Sequence, residues 1–172
     1  MLTRIAGRNR DARQRIRHVM AITIQSANLE DPDFVALIDT HASLMLELSP
    51  PDSCHFLPID GLKSDDVTVW DMREDGALIG SGALKELSPT HGEIKSMHTR
   101  AIRRGAGLGK KMLEHILQIA SERGYTRLSL ETGATDGFLP ARRLYEAYGF
   151  TACGPFGTYT EDPHSYFMTT AL

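Results

Sequence analysis

The chain of 172 residues has the length of one domain, since domains commonly contain about 100–200 residues. Hydrophobic residues make up 41% and charged residues 24%, so a packed core is expected and a disordered chain is excluded. No apolar run approaches the roughly 18 residues of a membrane-spanning helix, and the N-terminal residues lack the apolar segment of a secretory signal. Two cysteines, Cys54 and Cys153, are too few for a disulfide framework or a four-cysteine zinc site. Together these features predict a cytoplasmic protein without a membrane anchor.

The net charge of −3 is spread unevenly along the chain. Residues 1–19 hold six arginines and one acid, which is +5, so the remaining residues carry −8. We predict a flexible basic arm over residues 1–19 and a single domain over residues 20–172, with Met20 as an alternative natural start. A basic arm is able to bind nucleic acid, but the acidic body has no further basic patch with interleaved aromatic residues. Nucleic-acid binding is therefore the minor interpretation.

The N-terminal part of the domain predicts a strand followed by a helix. Residues 21–27 alternate apolar and polar side chains, which is typical of a strand. Asp31 followed by Pro32 marks a helix start, because aspartate caps the first turn and proline fits the first helical position. Apolar residues then recur at helical spacing until Ser49-Pro50-Pro51, where proline excludes helical geometry from the residue before it.

Three strands come next in the chain. Residues 67–72 and 77–87 flank a Glu74-Asp75-Gly76 turn and predict a hairpin. Residues 94–99 predict a further strand. Because strands joined by short turns pair antiparallel, this part of the sheet is expected to be antiparallel.

The second half of the chain alternates helices and strands. A helix ends at Gly124, a strand covers residues 127–131, a second helix ends at Gly149, and a strand over residues 166–172 closes the sheet. The apolar face of the first of these helices consists of Leu108, Met112, Leu113, Ile116, Leu117 and Ala120. The order β-α-β-β-β-α-β-α-β predicts a mixed α/β domain with antiparallel strands early and a βαβ unit late.

A glycine-rich turn before the first of these helices is the strongest functional motif. It contains Arg103, Arg104, Gly105, Gly107, Gly109 and Lys110. Glycines let backbone N–H groups converge on one point, and a helix N-terminus adds partial positive charge, so we expect a phosphate or pyrophosphate ligand. A Walker A loop is excluded because Arg104 stands where its first glycine belongs. The glycine spacing also differs from that of the dinucleotide fingerprint.

The spacing Arg104-x-x-Gly107-x-Gly109 resembles the coenzyme A loop of the GNAT acetyltransferase superfamily. The stretch from Ala141 to Phe150 is similar to the family's A-x-x-L-Y-E-x-x-G-F helix, although Phe138 stands where many members have asparagine. Residues 49–55, 92–97 and 154–168 resemble one uncharacterised bacterial branch of the family. The resemblance covers roughly residues 20–172. It implies a mixed, mostly antiparallel central sheet with helices on both faces, and a βαβ unit that binds coenzyme A.

The resemblance implies an N-acetyltransferase that moves an acetyl group from acetyl-CoA directly to the amine of a small molecule. The residues expected to bind the cofactor are Met97, His98, Thr99, Arg103, Arg104, Gly105, Ala106, Gly107, Leu108, Gly109 and Lys110. The strand end at Met97–Thr99 is expected to splay from its neighbour and to hold the pantetheine arm. Tyr145 occupies the family position of the acid for the coenzyme A sulfur. Glu93 is the expected base, directly or through water, and Glu131 is the alternative.

The acceptor site is less well defined by the sequence. His41, Ser53 and His55 surround the proline break where the family often builds its acceptor pocket. Lys95 shares a strand face with Glu93, which predicts either a salt bridge or a contact to an acceptor carboxylate. No cluster has metal-ligand spacing, so no metal is expected.

Several alternatives stay open. Phe156, Tyr159 and Phe167 are interpreted first as packing residues of the last strand and second as a wall of the acceptor site. The same cofactor loop would also serve a non-catalytic acyl-CoA-binding module or a protein or peptide N-acetyltransferase. The resemblance further implies a homodimer.

Overall fold

The structure is a computed structural model that describes residues 21–172; the predicted arm at residues 1–19 and Met20 lie outside the described residues. The strands are β1 (Ile22–Ser26), β2 (Val67–Glu74), β3 (Ala77–Ser88), β4 (His91–Thr99), β5 (Arg127–Gly133), β6 (Thr151–Ala152) and β7 (Ser165–Ala171). The helices are α1 (Pro32–Leu48), α2 (Ile59–Leu62), α3 (Leu108–Glu122) and α4 (Leu139–Ala147). None of these helices is long and apolar enough to cross a membrane.

The strands form one sheet in the order β1-β2-β3-β4-β5-β7-β6. All neighbours pair antiparallel except β4 and β5, which are parallel, so the predicted mixed, mostly antiparallel sheet is confirmed. The predicted strands and helices are present, and β4 begins at His91, earlier than the predicted Ile94. The sequence pattern does not indicate β6 or α2, because elements of two and four residues are too short to show a period.

Helices cover both faces of the sheet, as predicted. On one face α3 packs against the strands through Met112 and Ile116, which are almost completely buried, and α4 lies beside it. On the other face α1 packs through Phe34 and Leu37, with Leu62 of α2 in the same cluster. The sheet therefore separates two apolar clusters, and functional side chains of one strand are able to face different helices.

A β-bulge interrupts the middle of β4. Ser81 of β3 pairs with His98, whereas Ala83 pairs with Lys95, so β4 contains one extra residue between these two pairs. Ser96 adopts a left-handed conformation with φ 53°, and its carbonyl accepts a 2.9 Å hydrogen bond from Ser81 Oγ. Since side chains alternate along a strand, the extra residue changes which face the following side chains occupy.

The bulge divides the side chains of β4 between the two faces. Met97 packs against the cluster of α3, whereas His98 contacts His41 of α1, with ring centroids 5.3 Å apart. Glu93 and Lys95 meet through a 3.1 Å salt bridge, which confirms that they share a face. Met97 and His98 thus contact different helices, on opposite faces of the sheet.

Strands β4 and β5 separate at their C-terminal ends. Their parallel pairing runs from His91 with Arg127 to Ile94 with Leu130 and ends there, although β4 continues to Thr99 and β5 to Gly133. The splay expected from the resemblance is present. Because of this splay, the backbone groups at the end of β4 that face β5 form no hydrogen bonds with β5, and a gap opens between the two strands.

Candidate active site

A cavity of about 430 Å³ lies at the gap between β4 and β5. Nine residues singled out in the sequence line it: His41, His55, Lys95, Met97, His98, Thr99, Arg104, Glu131 and Tyr145. Its apolar wall includes Leu44, Met45, Leu48, Phe56, Phe138 and Pro140. Neither Glu93 nor Ser53, which are among the predicted catalytic and acceptor residues, lines this cavity.

A smaller cavity of about 110 Å³ leads from the large one towards the glycine turn. It reaches Gly109 at the start of α3, and both cavities are lined by Met97, Thr99 and Tyr145. A long, thin ligand lying on the turn therefore has a path along the end of β4 into the large cavity.

The glycine turn presents an open helix N-terminus. Gly105 and Gly107 have positive φ values of 81° and 74°, and a Cβ at either position would meet no atom within 4 Å. Gly107 is the N-cap of α3 and supplies no side-chain cap. The first intrahelical bond at this end runs from Lys111 N to Gly107 O, and the amides before it have no acceptor within the helix, so they are able to bind an anion.

The basic residues of the turn have different surroundings. Arg104 lines the large cavity, and its Nε donates to Thr99 O over 3.4 Å. Arg103 forms an ion pair with Glu74, so its charge is already balanced within the protein. Lys110 is largely exposed beside α3, 3.8 Å from the nearest oxygen of Glu114. Arg104 and Lys110 are therefore better placed than Arg103 to meet a phosphate.

Tyr145 of α4 lines both cavities where they meet. The residue is 6% exposed, and its ring packs edge-on against Phe150. Burial raises the pKa of the phenol, because the low-dielectric surroundings disfavour the phenolate. The hydroxyl thus keeps its proton at neutral pH and is able to donate it.

Glu93, Lys95 and Tyr159 form a buried polar cluster, of which Lys95 alone lines the cavity. Lys95 Nζ donates to Tyr159 Oη at 2.7 Å, to His55 O at 2.9 Å and to Glu93 Oε1 at 3.1 Å. Tyr159 in turn donates to Glu93 Oε1. Of the two interpretations of Lys95 given by the sequence, the structure contains the salt bridge, which Lys95 forms with Glu93. Tyr159, interpreted from the sequence as a packing residue, is a polar partner of the site.

Glu131 is the carboxylate that lines the cavity. Burial raises its pKa above the ordinary value, and Ser165, followed by His55 and Lys95, offsets part of that rise. A carboxylate with a raised pKa is a stronger base than a solvated one. The described geometry therefore favours Glu131 over Glu93 for direct contact with a bound molecule, which reverses the order expected from the sequence.

The histidines and Ser53 have separate environments. Burial lowers the pKa of His41 and of His98 to about 4, so both rings are neutral at pH 7. Among the described residues, His41 Nδ1 has no hydrogen-bond partner. The His55 ring packs edge-on against Tyr159. Ser53 instead lies beside Asp162, whose pKa is lowered first by the backbone N–H of His164 and second by Ser53, and it does not line the cavity.

Within residues 21–172, no group of three or more histidine, cysteine, aspartate or glutamate side chains is arranged to hold a metal ion. Both cysteines are free, half-buried thiols, and burial raises the pKa of Cys54 and of Cys153. A raised pKa keeps a thiol protonated and makes it a poor nucleophile.

Splayed parallel strands beside an open glycine turn define an acyltransferase-type fold, and the comparisons agree with this class. The profile of the Acetyltransferase (GNAT) family matches residues 32–150. The uncharacterized N-acetyltransferase YsnE of Bacillus subtilis is 47% identical over 149 residues, covering 87% of this chain and 99% of that protein. The uncharacterized N-acetyltransferase YedL of Escherichia coli is 44% identical over 150 residues, covering 87% and 94%.

Two further similarities extend the comparison. The IAA acetyltransferase of Azospirillum brasilense is 34% identical over 139 residues, covering 80% of this chain and 90% of that protein. The crystal structure of a candidate acyl-CoA N-acyltransferase from Klebsiella pneumoniae superposes with a TM-score of 0.72 at 29% identity, covering 88% and 97%. The chain belongs to the GNAT acetyltransferase family and is an acyltransferase enzyme.

Proposed function

We propose that the protein is an N-acetyltransferase that moves an acetyl group from acetyl-CoA to the amine of a small molecule by direct transfer, with both substrates bound at once. The observation that carries this proposal is the continuous path from Gly109 at the glycine turn, past Tyr145, to Glu131. A carrier held on the turn and an amine held at Glu131 would meet at the shared middle of the path. Membership of the GNAT family also supports acetyl-CoA as the carrier of the acetyl group.

The residues of the turn fit the diphosphate of coenzyme A. The uncapped first turn of α3 offers backbone N–H groups, and Arg104 and Lys110 add positive charge beside them. The open end of β4, at Met97–Thr99, offers the pantetheine arm a backbone edge that β5 does not pair with. When bound, acetyl-CoA supplies the acetyl group as a thioester.

The roles of the chain's own residues follow from where they lie. Glu131 accepts a proton from the amine as the new C–N bond forms, and its raised pKa suits this role. Backbone N–H groups at the splayed end of β4 polarise the acetyl carbonyl. Tyr145 donates its proton to the sulfur as the C–S bond breaks. Glu93 holds Lys95 and Tyr159 in place and has no direct contact with substrate.

Calorimetric titration with acetyl-CoA tests the cofactor site, using Gly107→Asp and the matched control Gly124→Asp. Both glycines have similar positive φ values, 74° and 77°, in open space, but Gly124 lies at the other end of α3. Both variants carry the same backbone penalty, about 1 kcal/mol, and the same added charge. We expect Gly107→Asp to lose acetyl-CoA binding and Gly124→Asp to keep it. Equal affinities in the two variants would remove the turn from the site.

Thiol release with a panel of amines separates an enzyme from a non-catalytic acyl-CoA-binding module. In the enzyme, Tyr145→Phe should lower kcat at least tenfold while acetyl-CoA affinity changes little. An unchanged kcat would remove Tyr145 from the role of acid. Intact-mass measurement of incubated peptides tests the alternative of peptide acetylation. A cytoplasmic location and a homodimer remain predictions, to be checked by fractionation and by sedimentation.

A further inference from the structure

The large cavity has an acceptor end, defined here by Leu44, Met45, Leu48, Phe56 and Glu131. The three α1 residues and Phe56 are only half-buried, so part of each apolar side chain faces the cavity. All five line the large cavity and none lines the small cavity at the glycine turn. The acceptor end thus combines one carboxylate with an apolar wall remote from the turn.

Lys95, the lysine that lines this end, has no hydrogen left for an incoming anion. An ammonium has three donors. All three have partners, Tyr159 Oη, His55 O and Glu93 Oε1, at distances between 2.7 and 3.1 Å. The buried Glu93 carboxylate also balances its charge. His41 is neutral, because burial lowers its pKa to about 4. Two further basic residues line the large cavity: His55 already interacts electrostatically with Glu131, and Arg104 belongs to the turn assigned to the cofactor phosphate. Among the described residues, an acceptor carboxylate at this end therefore meets no counterion that is without a partner or a role.

We propose that the acceptor is a primary amine with an apolar or aromatic body and without a carboxylate. This inference rests on the proposed function and specifies its substrate class. The amine lies at Glu131 and the body lies against Leu44, Met45 and Leu48. A carboxylate on the acceptor would be desolvated beside Glu131 without a partner, which is unfavourable. A polyamine or an amino sugar would place charged or hydroxylated groups against the apolar wall.

Four matched amines test the assignment on the full chain: phenethylamine, ethylamine, phenylalanine and phenylalaninamide. Rates of acetyl transfer are compared as kcat/KM per unprotonated amine at saturating acetyl-CoA. We expect phenethylamine to exceed ethylamine by about tenfold or more, since burial of an aromatic ring contributes that much. Phenylalaninamide should exceed phenylalanine by about tenfold or more, because the two differ only in charge.

A pair of variants locates the apolar contact. Leu44→Asn should raise KM for phenethylamine about tenfold and leave acetyl-CoA affinity unchanged. Leu46→Asn is the matched control, because Leu46 lies on the same helix but is 47% exposed and does not line the cavity. The control should behave as wild type. The comparison of the four amines needs only the wild-type protein, so it stands even if a variant fails to fold.

Three results would overturn the assignment, and the first two would leave the proposed function intact. The first is faster transfer to phenylalanine than to phenylalaninamide. The second is no transfer to any of the four amines by a protein that binds acetyl-CoA. The third is a preference for hexanoyl-CoA over acetyl-CoA that Leu44→Asn abolishes, which would assign the wall to the acyl chain. Loss of acetyl-CoA binding altogether would instead contradict the proposed function.

Discussion

Replacing Lys95 by methionine tests whether the Glu93–Lys95–Tyr159 cluster stabilises the walls of the active site. The Lys95 ammonium joins β4 to two irregular segments, through His55 O and through Tyr159 Oη. Methionine keeps most of the side-chain volume but removes the charge. The Glu93 side chain, 4% exposed, would then stay buried with Tyr159 as its donor.

Removal of one member of a buried ion pair costs about 3–5 kcal/mol, because the remaining charge is left unpaired. Since the Tyr159 hydroxyl still donates to Glu93, we expect Lys95→Met to lose about 3 kcal/mol of unfolding free energy. In a domain of this size that loss lowers Tm by roughly 6–12 °C. Lys85→Met is the matched control on β3, where a partly exposed pair with Asp66 at 3.7 Å should contribute about 0–1 kcal/mol.

Urea denaturation followed by the fluorescence of the buried Trp70 measures these differences. The double variant Glu93→Gln, Lys95→Met should recover more than about 1 kcal/mol of the loss, because it no longer contains an unpaired charge. Acetyl-CoA affinity should change little, whereas KM for the amine should rise as the His55 segment loses its anchor. A loss in Lys95→Met no larger than that in Lys85→Met would refute the reasoning. So would a double variant less stable than Lys95→Met.

Three further predictions concern packing and pH. Gly82→Ala should lower the free energy of unfolding by about 1–3 kcal/mol in thermal melts, because a Cβ would lie 2.6 Å from a methionine of α3. Gly154→Ala is the control and should be neutral, because a Cβ there would meet no atom within 4 Å. His41 and His98 have pKa values of about 4 when folded and about 6.5 when unfolded, so the unfolded chain binds more protons and stability falls from pH 6.5 to 4. His41→Phe should reduce the loss of stability over this pH range. Urea unfolding midpoints measured at a series of pH values check this. Because the pKa of Glu131 is raised, the acid limb of the kcat/KM–pH profile should lie at a higher pH than an ordinary glutamate would give. Glu131→Gln should abolish this limb. A limb that is unchanged in the variant would exclude Glu131 as the base.

The sequence predicts the fold well because each long element carries its own signal. The α1 start at Asp31–Pro32 and the α3 end at Gly124 are encoded by capping residues, and both lie where expected. The glycine turn is also contiguous in sequence, so its chemistry is visible before folding. The bulge at Ser96 is not visible in the sequence, because serine does not ordinarily mark a left-handed position and the side-chain pattern of β4 shows no interruption.

The acceptor end and the neighbouring Glu93–Lys95–Tyr159 cluster are harder to predict because they join distant and irregular segments. Tyr159 lies between β6 and β7 in a stretch without helix or strand, 64 residues from the lysine that it contacts. Glu93 and Glu131 both lie on strands and are indistinguishable in type. What separates them is that β4 and β5 stop pairing at Leu130, which exposes the next residue of β5 to the gap. Pairing limits of this kind depend on tertiary packing and have no local sequence signal.

The bulge in β4 explains how one strand serves both ends of the path. Without the extra residue, strict alternation would place Met97 on the same face as Lys95 and would turn His98 towards α3. With it, Met97 packs towards α3, while His98 joins His41 at the α1 side, and both residues line the two cavities. The left-handed Ser96 costs about 1–2 kcal/mol, and its hydrogen bond from Ser81 offsets part of that cost. The strained Ser96 lines the large cavity at the point where the side chains of β4 divide between the two faces, in keeping with the tendency of backbone strain to occur at functional sites.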